Sequence, residues 1–158
     1  MRKYSSRPVE DWKLEAVLEA GRLAPTGCDS QCQRIYVIRT EDSLRKIRGC
    51  CRMAFDAPVV LLIFADLSES WTHPVTGRNV GETDTAIVTD HMMLRAADLG
   101  LGTCWVGYFE PGPVHEAFGI PDSLTLMHIL PLGYPADSSV PSGLHFRRKP
   151  MEDLVRYL

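Results

Sequence analysis

The sequence predicts an α+β protein, a small sheet packed by helices, and three observations carry that reading. Helical and β-type segments are mixed along the chain without regular βαβ alternation. Residues 57–65 (APVVLLIFA) form a continuous apolar run, the pattern of a strand covered on both faces. Residues 83–99 place Ile87, Met93, Leu94 and Ala97 among the apolar positions of a long helix that stops at Gly100. The 158 residues fit a single domain over 1–158, with no repeat, low-complexity tract or interdomain linker.

Each element has its own signal. Pro8 and Val9 lead into a helix predicted over 10–23, where Leu14, Val17, Leu18 and Gly21 recur at i, i+3, i+4 and i+7. Ala24-Pro25-Thr26-Gly27 ends it, because the residue before a proline is pushed out of the helical region. A strand is predicted over 34–39 (RIYVIR) and a short charged helix over 41–48. After the apolar strand comes a sixteen-residue loop, 67–82, carrying Pro74, Gly77 and Gly81; its length points to function or mobility. Beyond the long helix, 103–109 (TCWVGYF) is aromatic and β-favouring, with Gly107 inside it, and 111–118 reads as a short helix. Residues 124–134 (LTLMHILPLGY) read as a strand whose Pro131 implies an edge or a bulge near its end. A loop over 135–144 and a terminal helix over 150–158, with Pro150 near its first position, complete the chain.

Composition narrows the function. With 17 Lys+Arg against 20 Asp+Glu the net charge is −3, which argues against a nucleic-acid protein, whose phosphate binding needs a basic face. At 45% hydrophobic and 23% charged, wholesale disorder is excluded. No apolar run approaches the ~20 residues of a membrane span, and the N-terminus is polar. The expectation is a soluble cytoplasmic protein without membrane association. Its five cysteines are an odd set expected to be reduced, and Cys28-x3-Cys32 has no second pair at zinc spacing.

No hydrolase constellation is present: neither G-x-S-x-G, nor H-E-x-x-H, nor a phosphate-binding GxxxxGK[ST]. Gly100-Leu101-Gly102 follows a helix and so reads as a helix stop and tight turn, while His91 and His128 read as structural. Three features remain. Arg2 and Lys3 at one end, with Arg147, Arg148 and Lys149 near the other, would bind a dianion such as a phosphate if the ends met in space; two solvated basic ends is the other reading. The polar loop 27–33 (GCDSQCQ) suits hydrogen bonding to a heteroaromatic edge. Gly107 lets backbone N–H groups approach a planar ligand closely.

Together these stretches resemble the FMN-dependent nitroreductase family over nearly the whole chain. The matching segments are RKY and RPV (2–4 and 7–9), AGRLAPTGCDSQ (20–31), APVVLLIFAD (57–66), DTAIVTDHMMLRAADLGLGTCWVGYF (84–109), FGIP (118–121), LPLGYP (130–135) and RRKPMEDLV (147–155). The resemblance implies an α+β homodimer with a central, mainly antiparallel sheet and two FMN sites built from both chains. It puts Arg2, Lys3 and Arg148 at the FMN phosphate, Asp29 and Gln31 at the ribityl chain and pyrimidine edge, and the Val106-Gly107-Tyr108 backbone near the flavin N5 atom. It further implies a ping-pong reaction in which NADH or NADPH delivers hydride to N5 and a nitroaromatic or quinone-like acceptor then takes the electrons. Such chemistry belongs to the cofactor and needs no side-chain nucleophile or base.

Departures from the family pattern qualify this. The family's Arg-Arg-Ser start has no counterpart ahead of Arg2-Lys3-Tyr4, so two or three phosphate ligands are expected to be missing and FMN binding to be weaker. Asp29 stands for the family's Asn, and Gln31-Cys32-Gln33 for its Gln-Pro-Trp; loss of the Trp either widens the pocket or removes core packing. Loop 67–82, with Trp71, His73 and Arg78, either covers the flavin or is a surface excursion. Two alternatives stay open: another flavin chemistry on the same scaffold, or a flavin-binding redox sensor using Cys28 and Cys32.

Overall fold

The apolar run becomes β2 (Val59–Asp66), the strand around which the sheet is built in a computed structural model that describes all of residues 1–158. Seven of its residues, Val59 to Ala65, are buried, as a strand sandwiched between helix layers requires. On one side β2 pairs antiparallel with β1 (Gln33–Ile38), on the other with β4 (Leu124–Gly133), and β4 pairs with β3 (Gly102–Thr103). The order is therefore β1-β2-β4-β3, antiparallel throughout.

Alternation along β2 divides the core in two. Val60, Leu62 and Phe64 pack with Leu44 and Ile47 of α2 (Glu41–Cys50) and Val114 of α4 (Pro111–Phe118). Val59, Leu61 and Ile63 face Leu14 and Val17 of α1 (Asp11–Arg22) and Val88 and Met92 of α3 (Gly81–Asp98). Gly21 lets α1 approach α3 closely, since a Cβ there would lie 2.9 Å from Met92 Cγ. α2 starts at a capping box in which Thr40 and Ser43 satisfy each other's backbone N–H groups. The helices at 10–23, 41–48, 83–99 and 111–118 thus form as expected, with shifts of one or two residues at most ends.

Four expectations need correction. Residues 103–109 are not one strand: β3 stops at Thr103, and beyond it only Val106 pairs, in a bridge to Ile129. Pro131 lies in an inner strand, not at an edge. Its carbonyl accepts from Cys104 N–H at 3.3 Å, so its missing donor faces the gap between β3 and the Val106 bridge. The bulge of β4 is elsewhere: His128 opposes Ile63 and Leu126 opposes Phe64, leaving Met127 unpaired. Last, the terminal helix is a single turn, α5 (Met151–Leu154), and every residue from 141 to 158 is exposed, so nothing within one chain packs a longer helix.

The N-terminus is tied to the far end of the sheet. The Met1 ammonium donates to Thr103 O at 3.2 Å, Ser5 N–H to Tyr134 O at 2.9 Å, and Ala136 N–H to Lys3 O at 3.2 Å. Tyr4 reaches inward to donate its hydroxyl to Pro131 O at 3.1 Å, and burial, with Cys104 beside it, raises its pKa well above the ordinary phenol range. No helix is long and apolar enough to cross a membrane.

Candidate cofactor site

The candidate site is organised by two adjacent residues near the start of α3. Asp84, almost fully buried, accepts Gly27 N–H at 2.9 Å and the Ser30 hydroxyl at 3.3 Å, with Cys32 Sγ at 4.0 Å. These bonds hold a loop that is costly to form: Cys28, Asp29 and Gln31 all sit at φ near +50°, the left-handed region that non-glycine residues rarely enter. Thr26 Oγ1 adds a bond from Gln31 N–H at 3.0 Å, and the Gln31 amide donates to Asp29 Oδ1 at 2.9 Å. The loop therefore presents Asp29 and Gln31 at the surface as a pair, offering acceptor and donor groups side by side.

Loop 67–82 joins this wall. It is a closed turn, bridged between Thr72 and Asn79, with His73 Nδ1 accepting the Val75 and Thr76 N–H groups at 3.1 and 3.2 Å. Its base packs on Gly27, where a Cβ would fall 2.8 Å from Val80 Cγ2. The loop and the Asp29–Gln31 segment are thus neighbours.

The second wall is the segment beyond β3. Val106 exchanges both backbone hydrogen bonds with Ile129, at 2.9 and 3.2 Å, which fixes the segment at that point. At the next residue, Gly107, a built Cβ would meet no atom within 4 Å, so its backbone is open to an approaching ligand. Tyr108 is 84% exposed. Past it lies a groove of about 530 Å³ whose lining includes Cys50, Cys51, Met53, Phe109 and Pro113. Trp105 turns to the other face and donates its indole N–H to His128 Nδ1 at 3.1 Å, while His128 Nε2 lies 3.5 Å from Thr85 Oγ1. Burial holds the His128 pKa below its ordinary value, with Glu82 pulling the other way. Consecutive residues of α3 thus touch both parts, Asp84 directly at the polar loop and Thr85 through His128 and Trp105 at the second segment.

The basic residues are divided. Arg2 places its guanidinium 5.9 Å from the centre of the Phe55 ring, and neither Arg2 nor Lys3 has a carboxylate partner. Arg148 donates to Leu144 O and Arg147 O at 3.2 and 2.8 Å within its own segment, and no hydrogen bond joins it to Arg2 or Lys3. Within one chain the structure brings together Asp29 with Gln31, and Val106 with Gly107 and Tyr108, while Arg148 bonds within its own segment.

Asp84, Thr85, Trp105 and His128 are the site-building residues that sequence reasoning missed. Asp84 looks like an ordinary acid in a helix's first turn, and His128 like a core histidine, until their partners more than twenty residues away are known.

The profile of the Nitroreductase family matches residues 1–54 and 48–134. The chain belongs to the nitroreductase family. A crystal structure of a nitroreductase family protein from Clostridium difficile is 40% identical, covers 99% of this chain and 91% of its own, and superposes with a TM-score of 0.91. A Methanothermobacter thermautotrophicus protein assigned as NADH dehydrogenase/NAD(P)H nitroreductase is 29% identical over 145 residues, 87% of this chain and 73% of that one. The FMN reductase [NAD(P)H] of Bacillus subtilis is 28% identical over 159 residues, and the match spans 88% of this chain and 63% of that enzyme.

Proposed function

We propose that this nitroreductase-family chain is a cytoplasmic FMN-dependent oxidoreductase, using NAD(P)H to reduce nitroaromatic or quinone-like small molecules, and that it works as a homodimer. The observation that carries the reading is a polar loop, Asp29 with Gln31, held in shape by Asp84, together with an open backbone at Gly107. Relatives named FMN reductase and NAD(P)H nitroreductase support it.

The donor set fits FMN. Asp29 and Gln31 supply an acceptor and an amide for the ribityl hydroxyls and the pyrimidine edge, and the Val106-Gly107-Tyr108 backbone is accessible for the N5 side. Arg2 and Lys3, cations without a carboxylate partner, suit a phosphate, which arginine binds bidentately. Bound FMN supplies the hydride and electron chemistry, and the protein supplies placement and field.

The C-terminal segment supports the dimer. Leu144, Phe146, Met151, Leu154 and Tyr157 are exposed in one chain, a surface that a second copy would cover. A segment docked on a neighbouring chain would offer Arg148 to that chain's phosphate site, beside its Arg2 and Lys3. The sensor alternative loses support here. Cys32 is fully buried, and that burial raises its pKa and keeps it a thiol.

The test is an absorbance spectrum and a sedimentation run on purified protein, followed by NAD(P)H oxidation with a nitroaromatic. The reading expects flavin bands, a dimer and acceptor-dependent turnover. A colourless monomer after incubation with excess FMN overturns it, and bound FMN without turnover points to another flavin chemistry.

A further inference from the structure

Above, Trp105 and His128 serve only as a link to Thr85, yet their hydrogen bonds run in one direction only. An indole N–H can only donate, so His128 Nδ1, 3.1 Å away, must be the acceptor and carry no proton. A neutral ring then has its proton on Nε2, facing Thr85 Oγ1 at 3.5 Å and the Glu82 backbone carbonyl. The Thr85 hydroxyl spends its own hydrogen on Gly81 O at 2.8 Å, leaving a lone pair for the imidazole. The chain Trp105→His128→Thr85→Gly81 therefore closes only with a neutral imidazole. A second proton would land on Nδ1 and set two donors against each other in a site 7% exposed.

We propose that His128 is a positioning residue for the cofactor: neutral, it locks the Trp105 indole beside the Val106–Ile129 bridge and so stiffens the open Gly107 backbone that follows, and protonated it removes that support. The inference rests on the FMN reading above. The groups around His128 leave it little else to answer to. Glu82 of α3 is the charged group that bears on it, Ile63 opposes it on β2, and its neighbours along β4 beyond the bulge, Ile129 and Leu130, are apolar. Burial delays protonation in the folded chain, so the lock is intact at neutral pH and is lost as pH falls below the ordinary histidine value of about 6.5.

The experiment follows indole N–H resonances of the FMN-free protein from pH 8 to pH 5, assigning Trp105 by loss of its signal in Trp105→Phe, with FMN dissociation constants measured over the same range. In the native protein the Trp105 signal is expected to move in step with His128, and FMN binding to weaken about tenfold more than the phosphate's own ionisation explains. His128→Gln, whose amide oxygen also accepts from the indole, should lack the pH transition in both the indole signal and FMN binding, whatever its affinity at pH 8. Trp105→Phe, which keeps His128, should bind more weakly at pH 8 and also lack it. An indole signal indifferent to His128 titration, or identical FMN profiles in native protein and Trp105→Phe, overturns the proposal. FMN binding with an indifferent indole sinks the lock alone. Absence of FMN binding at every pH, with an indole that still follows His128, sinks the flavin reading and with it the cofactor role.

Discussion

The first 134 residues and the last eighteen use similar apolar side chains to opposite ends. In the body, Leu62 and Phe64 on one face of β2, and Ile63 on the other, are wholly buried between helix layers. In the terminal segment, Leu144, Phe146, Leu154 and Tyr157 are exposed along a stretch whose helix is one turn long. The difference is cover, not hydrophobicity. An apolar side chain contributes to folding only where another surface removes it from water. The body therefore closes its own core, and the segment's apolar residues await another surface, which the dimer would provide.

Mutations separate the two regions. The largest effect is expected from Leu62→Ala, which leaves a cavity in a closed core and should cost about 3 kcal/mol in denaturant unfolding. The same truncation at Leu154 should leave the unfolding midpoint of the isolated chain within about 0.5 kcal/mol while weakening self-association in sedimentation experiments. If Leu154→Ala lowers the stability of the monomer as Leu62→Ala does, the segment packs on its own body and the contrast fails. Next, Arg148→Ala should weaken FMN binding by roughly ten- to a hundredfold, the worth of a charged hydrogen bond, without moving the thermal midpoint of the FMN-free protein. The smallest effect concerns the body's own loop. A carboxylate at Asp29 beside the pyrimidine edge disfavours an anionic reduced flavin, so Asp29→Asn should raise the midpoint potential by a few tens of millivolts. A spectroelectrochemical midpoint that stays put or falls refutes that placement.

Much of this was legible in the sequence because it depends on local pattern. The run at 57–65 announced a doubly covered strand, and the Leu14-Val17-Leu18-Gly21 stripe announced the face that meets α3. What was not legible depends on pairing across the chain. The stretch 103–109 has strand composition, but Pro131 on β4 lacks the N–H that would continue the ladder past Thr103, and beyond that residue only Val106 pairs. Helix 150–158 was overread because helical propensity without a packing surface does not sustain more than a turn. In the candidate site, polarity singled out Asp29 and Gln31 and backbone freedom singled out Gly107. The carboxylate and hydroxyl that hold them, at Asp84 and Thr85, belong to contacts between elements far apart in sequence.

Met127 shows how much can rest on one unpaired residue. Up to it, the even-numbered side chains Leu124 and Leu126 share the layer of α2 and α4; after it, Leu130 and Leu132 lie in that of α1 and α3, and His128 opposes Ile63 of the same layer. The extra residue acts as a parity change in the strand. Pairing the same residues without the bulge, with Met127 taking a place in the ladder, would put the imidazole among Phe64 and its neighbours and turn Leu130 and Leu132 to the wrong layer. The bulge, as much as the lettering of the strand, is what turns a polar ring toward Trp105 and Thr85.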